Sequence, residues 1–269
     1  MTFESLYKYT KWDKQFGINC HHCKILNVPE IYFTAPSQFN DPFDCQLSRG
    51  WHLKSNEEIL NYLRTKHPND KDQIDRVELW LTTDREDYIR YLDEADIKLT
   101  DMQSGVFCLA ANPTNSLLWA HYAGGHQGLC LGFHTAHLSE QLESHCENKN
   151  LQIDCIPVEY REELPDLEPF LENDRQWFLQ RYRYKAKEWS YEQEYRFVLI
   201  KNDVLDNAER AVKISPDCIS EVVLGCEVDR ETEVQILDSI EKLKVSNQGL
   251  RTRKAIKSKE HFKYELIEL

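Results

Sequence analysis

The sequence predicts an α+β fold built on a mixed β-sheet, and three observations carry that prediction. Short β-branched or aromatic runs recur along the chain. Amphipathic helical patterns fall between some of them and not others. Strands and helices therefore do not alternate regularly, which argues against a doubly wound parallel sheet. A chain of 269 residues with 41% hydrophobic and 29% charged side chains can bury a real core. It is expected to form a single domain over 1–269, with a helical insertion at about 56–99.

Residues 6–9 (LYKY) and 30–34 (EIYFT) read as short strands, and 11–27 between them as a helix. The run 37–44, SQFNDPFD, is turn chemistry, because Pro42 biases Asp41 away from helix. From 56 to 99, Ile59, Leu60, Leu63 and then Ile74, Val77, Leu81 recur at helical spacing, which predicts two or three amphipathic helices. GVFCLA (105–110) and GLCLGF (128–133) read as buried strands flanking a helical turn with Trp119, His121 and Tyr122. A helix over 135–147, a strand near 152–160 and a helix near 167–186 precede the strand EYRFVLI at 194–200. A strand at 219–225, a helix from 230 to 243 and strands near 251–257 and 262–267 complete the pattern.

Composition excludes several classes of function. The formal net charge of −13 disfavours sequence-blind duplex binding, which needs a surplus of Lys and Arg. The nine glycines form neither G-x-G-x-x-G nor G-x-x-x-x-G-K-[ST], so the familiar phosphate cradles are absent. There is no G-x-S-x-G elbow, no H-E-x-x-H and no zinc-deaminase pattern. The nine cysteines are dispersed and odd in number, as expected of reduced thiols in a cytoplasmic protein. MTFESLYKYTKW carries no apolar run, so no signal peptide is expected, and no apolar stretch is long enough for a membrane span.

Five segments offer chemistry. In WSYEQEYR (189–196) the strand period of two places Glu192, Glu194 and Arg196 on one face, framed by Trp189 and Tyr191. Two carboxylates beside a guanidinium suit a cationic or hydroxylated ligand; the alternative is an exposed ladder at a sheet edge. In the NDPFD turn, Asn40, Asp41 and Asp44 form either a ligand loop or an Asx turn anchored by Phe39 and Phe43. In WAHYAGGHQG (119–128), aromatics beside His121 and His126 suit ring stacking and proton transfer, or else a buried aromatic core. Cys20-His21-His22-Cys23 is half of a zinc pattern without a second pair, so no metal site is expected. Residues 242–263 hold eight Lys and Arg against Glu260 alone, a basic island that suits a nucleic-acid or phosphate-rich partner or a solvated surface.

In order and spacing, LYKY, IYFTAPSQFNDPFD (31–44), LLWAHYAGGHQGLCLGF (117–133) and Lys185 followed by WSYEQEYR resemble a bacterial family. It is the one catalogued as domain of unknown function 2971, and the resemblance runs over roughly 6–225, with 56–99 as a variable insert. The late strand opening on Glu192-Gln193-Glu194 is also similar to the ADP-ribosyltransferase superfamily. The first-strand position of that superfamily falls on Lys8 or Tyr9 in place of Arg, and the Ser-Thr-Ser strand has no counterpart.

This second resemblance implies a split β-sheet core and NAD as co-substrate, held without a glycine-rich loop. It implies Glu194 stabilising positive charge at the ribose carbon and Glu192 orienting or deprotonating the acceptor. Trp119 or Tyr122 would stack the nicotinamide, and Lys8 and Arg196 would meet the pyrophosphate, with Tyr9, Asn40, Asp41 and His121 completing the cofactor-binding set. Stand-alone bacterial enzymes of this type resemble toxins or phage-defence effectors. The implied acceptor is therefore a macromolecule, whether RNA, DNA or protein, reached in the nucleic-acid case through the basic 242–263 surface. An antitoxin or activator protein is an implied partner. The alternative expectation is a non-catalytic ligand- or partner-binding module of a defence or regulatory system. A third is a metal-dependent nuclease using Asp41, Asp44 and Glu194.

Overall fold

A computed structural model describes residues 3–13, 24–147, 149–171 and 174–269. The first half of the chain runs through β1 (Ser5–Thr10), β2 (Glu30–Tyr32), α1 (Asn56–Lys66), α2 (Lys71–Thr83), α3 (Arg85–Gln103) and β3 (Ser104–Ala110). Then come α4 (Ser116–Tyr122), β4 (Leu129–His134), α5 (Thr135–Glu147), β5 (Gln152–Pro157), β6 (Glu159–Arg161) and α6 (Asp174–Arg183). The rest is β7 (Tyr184–Ala186), β8 (Glu194–Ile200), β9 (Ala211–Lys213), β10 (Ile219–Leu224), α7 (Arg230–Lys244), β11 (Arg251–Lys257) and β12 (Tyr264–Glu268).

The fold is α+β around a mixed eight-stranded sheet in the order β12-β11-β10-β4-β1-β3-β8-β5. Within it β10–β11 pair in parallel and the other neighbours are antiparallel. The join between β1 and β3 is unlike the others. Those two strands share one register pair, Tyr7↔Ala110, whereas β1 matches β4 over six pairs and β3 matches β8 over seven. The sheet is nearly split there. One face of it buries Leu6, Phe107, Leu131, Phe133, Phe197 and Val222 beneath α5 and α7. By the period of two, the other face carries Tyr9, Cys130 and Val223 on one side of the split and Val106, Cys108, Ala110 and Val198 on the other.

The insertion is three helices, each opened by an acidic or hydroxyl N-cap. Ser55 forms a capping box with Glu58, and Asp70 and Asp84 accept from the backbone of Gln73 and Asp87. Ile59, Leu60, Ile74, Val77, Leu81 and Tyr88 gather into one cluster with Trp51, as the helical spacing predicts.

Several elements differ from the sequence reading. The helix expected over 167–186 is confined to Asp174–Arg183, and Tyr184–Ala186 is a strand paired in parallel with β6. That pairing is between segments far apart in sequence and leaves no local signal. The expected strand 30–34 stops at Tyr32, paired to β9, with Thr34 bridging to Val106. Most of the helix expected over 11–27 falls outside the described residues, as does Cys20–Cys23; Lys24–Leu26 forms a single 3-10 turn.

Candidate functional site

A cavity of about 570 Å³ opens where β1 and β3 part. Lys8, Tyr9, Asn40, His121, Tyr122, Glu192 and Glu194 all border it, as do Asp44 and Lys185. Residues separated by up to 186 positions in sequence thus reach one space, because the splayed strands admit side chains from both sides. Lys8 spans the gap: its ammonium donates to the Cys108 carbonyl at 3.0 Å and lies 5.2 Å from the Phe107 ring centre. The strut replaces part of the ladder that the split removes.

On one side of the cavity lies a buried charge cluster. Lys185 Nζ donates to Glu192 Oε2 at 2.6 Å and Glu194 Oε2 at 3.0 Å, and lies 3.3 Å from Asp44 Oδ2. Arg196 Nε and Nη2 grip Glu194 through both oxygens at 2.8 and 3.0 Å, and Nη2 donates to Asp44 at 2.9 Å. Arg196 Nη1 donates to the Tyr182 carbonyl at 3.1 Å. Three carboxylates and two cations share a space from which water is nearly excluded, since the five residues are each at most 9% exposed. Burial of this kind persists only where every charge is paired.

Local backbone chemistry produces the convergence. Residues Lys187–Glu192 form a 3-10 turn, and Gln193 follows in the left-handed region at φ 47°. Glu192 therefore reaches the cluster from a turn, not from the strand alternation that aligns Glu194 with Arg196. In the NDPFD turn, Asp41 Oδ1 accepts from the Phe43 amide at 2.9 Å and the Asp41 carbonyl accepts from the Asp44 amide at 3.1 Å. The Asx closure turns Asp44 inward. Phe39 packs in the core but Phe43 is exposed, so only one phenylalanine anchors the loop.

The two glutamates are driven in opposite directions. Burial raises the Glu192 carboxyl above its ordinary value, and neighbouring Glu194 adds to the rise, although Lys185 opposes it. Burial acts on Glu194 in the same sense but is overcome by Arg196 and Lys185, which hold it well below the usual carboxylate range. Glu194 accepts twice from Arg196, once from Lys185 and once from the Cys108 thiol, which fills the four lone-pair sites of a carboxylate. Glu192 accepts from Lys185 and from the Tyr122 hydroxyl at 2.7 Å, which leaves half its capacity open beside the cavity. Asn40 in turn hydrogen-bonds the Tyr122 hydroxyl.

Other expected residues lie elsewhere. Trp119 is 1% exposed, donates to the Pro113 carbonyl at 2.9 Å and packs edge-on against Tyr9. It does not border the cavity, and stacking on a ligand would require opening the core. Arg196 is fully buried under the carboxylates and does not reach the cavity either. Asp41 is used up in its turn. Tyr9 borders the space, but its hydroxyl donates to the Asn112 carbonyl at 2.6 Å. His121 is exposed at the rim, its ring centre 6.5 Å from Trp189 and 6.3 Å from Tyr191.

Lys185 and Tyr160 were not singled out as functional by sequence reading. Lys185 had one signal, its place just ahead of WSYEQEYR; Tyr160, which accepts from the Glu194 amide at 2.8 Å, had none. Among the described residues, no three His, Cys, Asp or Glu side chains form a group able to hold a metal ion. Asp44 and Glu194 instead face Lys185 and Arg196. No described helix is long and apolar enough to cross a membrane. In the basic island, Lys244, Arg251, Arg253, Lys254 and Lys257 each pair with a carboxylate, so most of its charge is locally balanced.

Residues 118–197 match the model of a family described as protein of unknown function, DUF2971. The matched stretch holds most of α4, all of β4, and Lys185, Glu192, Glu194 and Arg196 of the charge cluster; the cavity residues from β1, β3 and the NDPFD turn lie outside it. No curated protein and no solved structure matches the chain.

Proposed function

We propose that this chain is an NAD-dependent ADP-ribosyltransferase acting on a macromolecular target. One observation carries the reading: Glu192 and Glu194, two residues apart, border a single cavity with opposed proton affinities. Carboxylates pushed apart in this way divide into a permanently ionised group and a proton-transfer group. The nearly split sheet, the E-x-E at the start of β8 and the placement of Lys8, Asn40, His121 and Tyr122 on the same cavity support the same reading.

NAD supplies an activated glycosidic bond, whose cleavage releases nicotinamide and leaves positive character on the ribose carbon. The residues divide the remaining tasks. Glu194 has no vacant acceptor site, so it acts through its fixed negative field and not by touching the ribose. Glu192, with open acceptor capacity and raised proton affinity, takes the proton from the attacking acceptor atom. Tyr122 orients that carboxylate. Lys8 uses one of its three donors on Cys108, which leaves two for phosphate oxygens. A volume of 570 Å³ lies within the range of ordinary ligand cavities.

The experiment is incubation of the protein with labelled NAD and a cell lysate, followed by separation of RNA, DNA and protein fractions. Nicotinamide release with label in one fraction, both lost in Glu192→Gln, is the expected result. Unchanged release in that variant overturns the assignment.

A second reading is favoured by the closure of the cluster around Glu194: a binding module that holds a ligand in this cavity without consuming it. Saturable NAD binding with no nicotinamide release, in the presence of every lysate fraction, would select it.

A further inference from the structure

We propose that the β11–β12 hairpin is a docking arm for single-stranded nucleic acid, with Phe262 as its base-stacking anchor and Lys259 and Lys263 as its phosphate contacts. The inference rests on the transferase reading only in making that nucleic acid the acceptor; binding itself requires no turnover.

The first observation is the hairpin tip. Strands β11 and β12 pair up to Lys257↔Tyr264, and the intervening loop is closed by the Ser258 amide on the Lys263 carbonyl at 3.0 Å. At this tip Phe262 stands fully in solvent, between exposed His261 and Lys263 in the chain, with Lys259 and the single carboxylate Glu260 exposed in the same loop. An aromatic ring held away from every core, with two lysines in the same loop, offers a stacking face and phosphate partners together. The remainder of the basic island is largely neutralised by its own carboxylates. Attraction for a polyanion is thereby focused on the tip, which reconciles it with a chain of net charge −13. A single ring among lysines is a poor membrane anchor but sufficient to stack one base.

The second observation is position. Thr10 of β1 lies opposite Leu129, Leu129 opposite Leu224, and Leu224 opposite Lys254. Tyr7 lies opposite Ala110, and Ala110 opposite Glu194. These registers set the start of β11, Arg251, level with Glu194 and the hairpin tip at the other end of the sheet, where β8 finishes. What the hairpin shares with the cavity is a face, because Tyr264 and Leu266 pack against the same cluster as Tyr122. The Tyr264 hydroxyl also lies 3.0 Å from His126 Nδ1, tying the base of the hairpin to the loop that follows α4. His121 and Tyr122 at the end of α4 border the cavity. A strand held at the tip thus lies on the face that carries α4 and reaches the cavity by running along that face.

The test is fluorescence anisotropy of labelled oligo-uridylate and oligo-thymidylate with the full chain, without NAD, across a salt series. Saturable binding that weakens with salt is expected. Phe262→Ala should weaken it about tenfold, as loss of one stacked base does. The double variant Lys259→Glu, Lys263→Glu should abolish tight binding and flatten the logarithmic salt dependence by roughly one to two. Circular dichroism checks that these exposed changes leave the fold intact. Absence of binding at low salt, wild-type affinity in Phe262→Ala, or binding to anionic vesicles in place of oligonucleotides would each overturn the proposal. The titration contains no NAD, so the two readings fail separately: lost oligonucleotide binding leaves nicotinamide release untouched, and absent nicotinamide release leaves the binding and its dependence on Phe262 in place.

Discussion

Glu192 and Glu194 share one ammonium, Lys185 at 2.6 and 3.0 Å, yet hold protons with opposite preference. The difference lies in what stands behind each. Glu194 has the guanidinium of Arg196 against both oxygens; Glu192 has only a tyrosine hydroxyl beyond the shared lysine. A cation lowers proton affinity far more than a neutral donor does. Two chemically identical side chains are thereby made different by one neighbour.

Replacing each glutamate with glutamine should therefore have unequal effects on stability. Glu194→Gln leaves Arg196 and Lys185 buried with reduced compensation and should cost about 3–5 kcal/mol. Glu192→Gln removes a carboxylate that burial already disfavours and should leave stability near wild type. The pH behaviour follows in sign. The depressed Glu194 contributes stability that is present above its unfolded value, near 4.3, and is lost as pH falls through the folded value. The raised Glu192 does the reverse: its contribution is fully present below the unfolded value and is lost as pH rises through the folded one. Urea denaturation over an acid-to-neutral series checks both; equal losses in the two variants would refute the asymmetry.

Tyr122→Phe tests the link between Asn40, Tyr122 and Glu192. The Tyr122 hydroxyl lowers the proton affinity of Glu192, so its removal should raise that affinity further. Nicotinamide release that depends on ionised Glu192 should then need a higher pH, moving the acid limb of the rate profile upward. The stability cost should be about 1 kcal/mol, that of one lost hydrogen bond. An acid limb that stays in place, or moves down, would remove Glu192 from the proton-transfer role.

Much of this site was legible in the linear sequence, and the remainder was not for identifiable reasons. The period of two along 194–200 put Glu194 and Arg196 on one strand face, and they do meet. Glu192 joins them through a turn that ends in left-handed Gln193, a conformation the strand alternation does not encode. That Lys185 and Asp44 complete the cluster is a tertiary fact, since Asp44 and Arg196 are 152 positions apart. Aromatic character alone did not separate Trp119, which fills the core, from Tyr122, which borders the cavity. The basic island counted charges along the chain, but Glu221 of β10, Glu227 after it and Glu233 of α7 balance much of it from earlier segments. The helical insertion was readable almost whole, because its apolar spacing and caps are local.

Lys185→Met removes the cation at the centre of the cluster. Three carboxylates would then face Arg196 alone, and at neutral pH the loss should be about 3–5 kcal/mol. Acidification should restore part of it, because Glu192 already favours the protonated form and can take up a proton in place of the ion pair. Denaturation midpoints at neutral and mildly acidic pH decide the point. A deficit that grows on acidification would mean that Lys185 acts by packing and not by charge.

Arg181 poses the opposite case, a buried charge whose removal should not weaken the protein. Arg49 and Arg181 are both fully buried, and Asp96 lies 3.7 Å from one and 3.9 Å from the other. Arg49 stacks on the Trp177 ring at 3.1 Å and donates to the Trp177 carbonyl, while Arg181 donates to Thr100 Oγ1 at 3.2 Å. Among the described residues, the Nε and Nη2 atoms of both arginines have no hydrogen-bond partner. Burial, and then repulsion from Arg181, brings the Arg49 pKa down to about 9. Arg181→Met keeps an unbranched apolar stem, deletes two orphaned donors and removes the like charge beside Arg49. Desolvation of a poorly compensated buried ion exceeds its Coulombic gain, so the variant should be neutral or more stable by about 1–4 kcal/mol. Arg49 should regain basicity at the same time, and the unfolding midpoint should become less sensitive to pH above about 9. A loss greater than about 2 kcal/mol would show that Asp96 and Thr100 stabilise Arg181 by more than its burial costs.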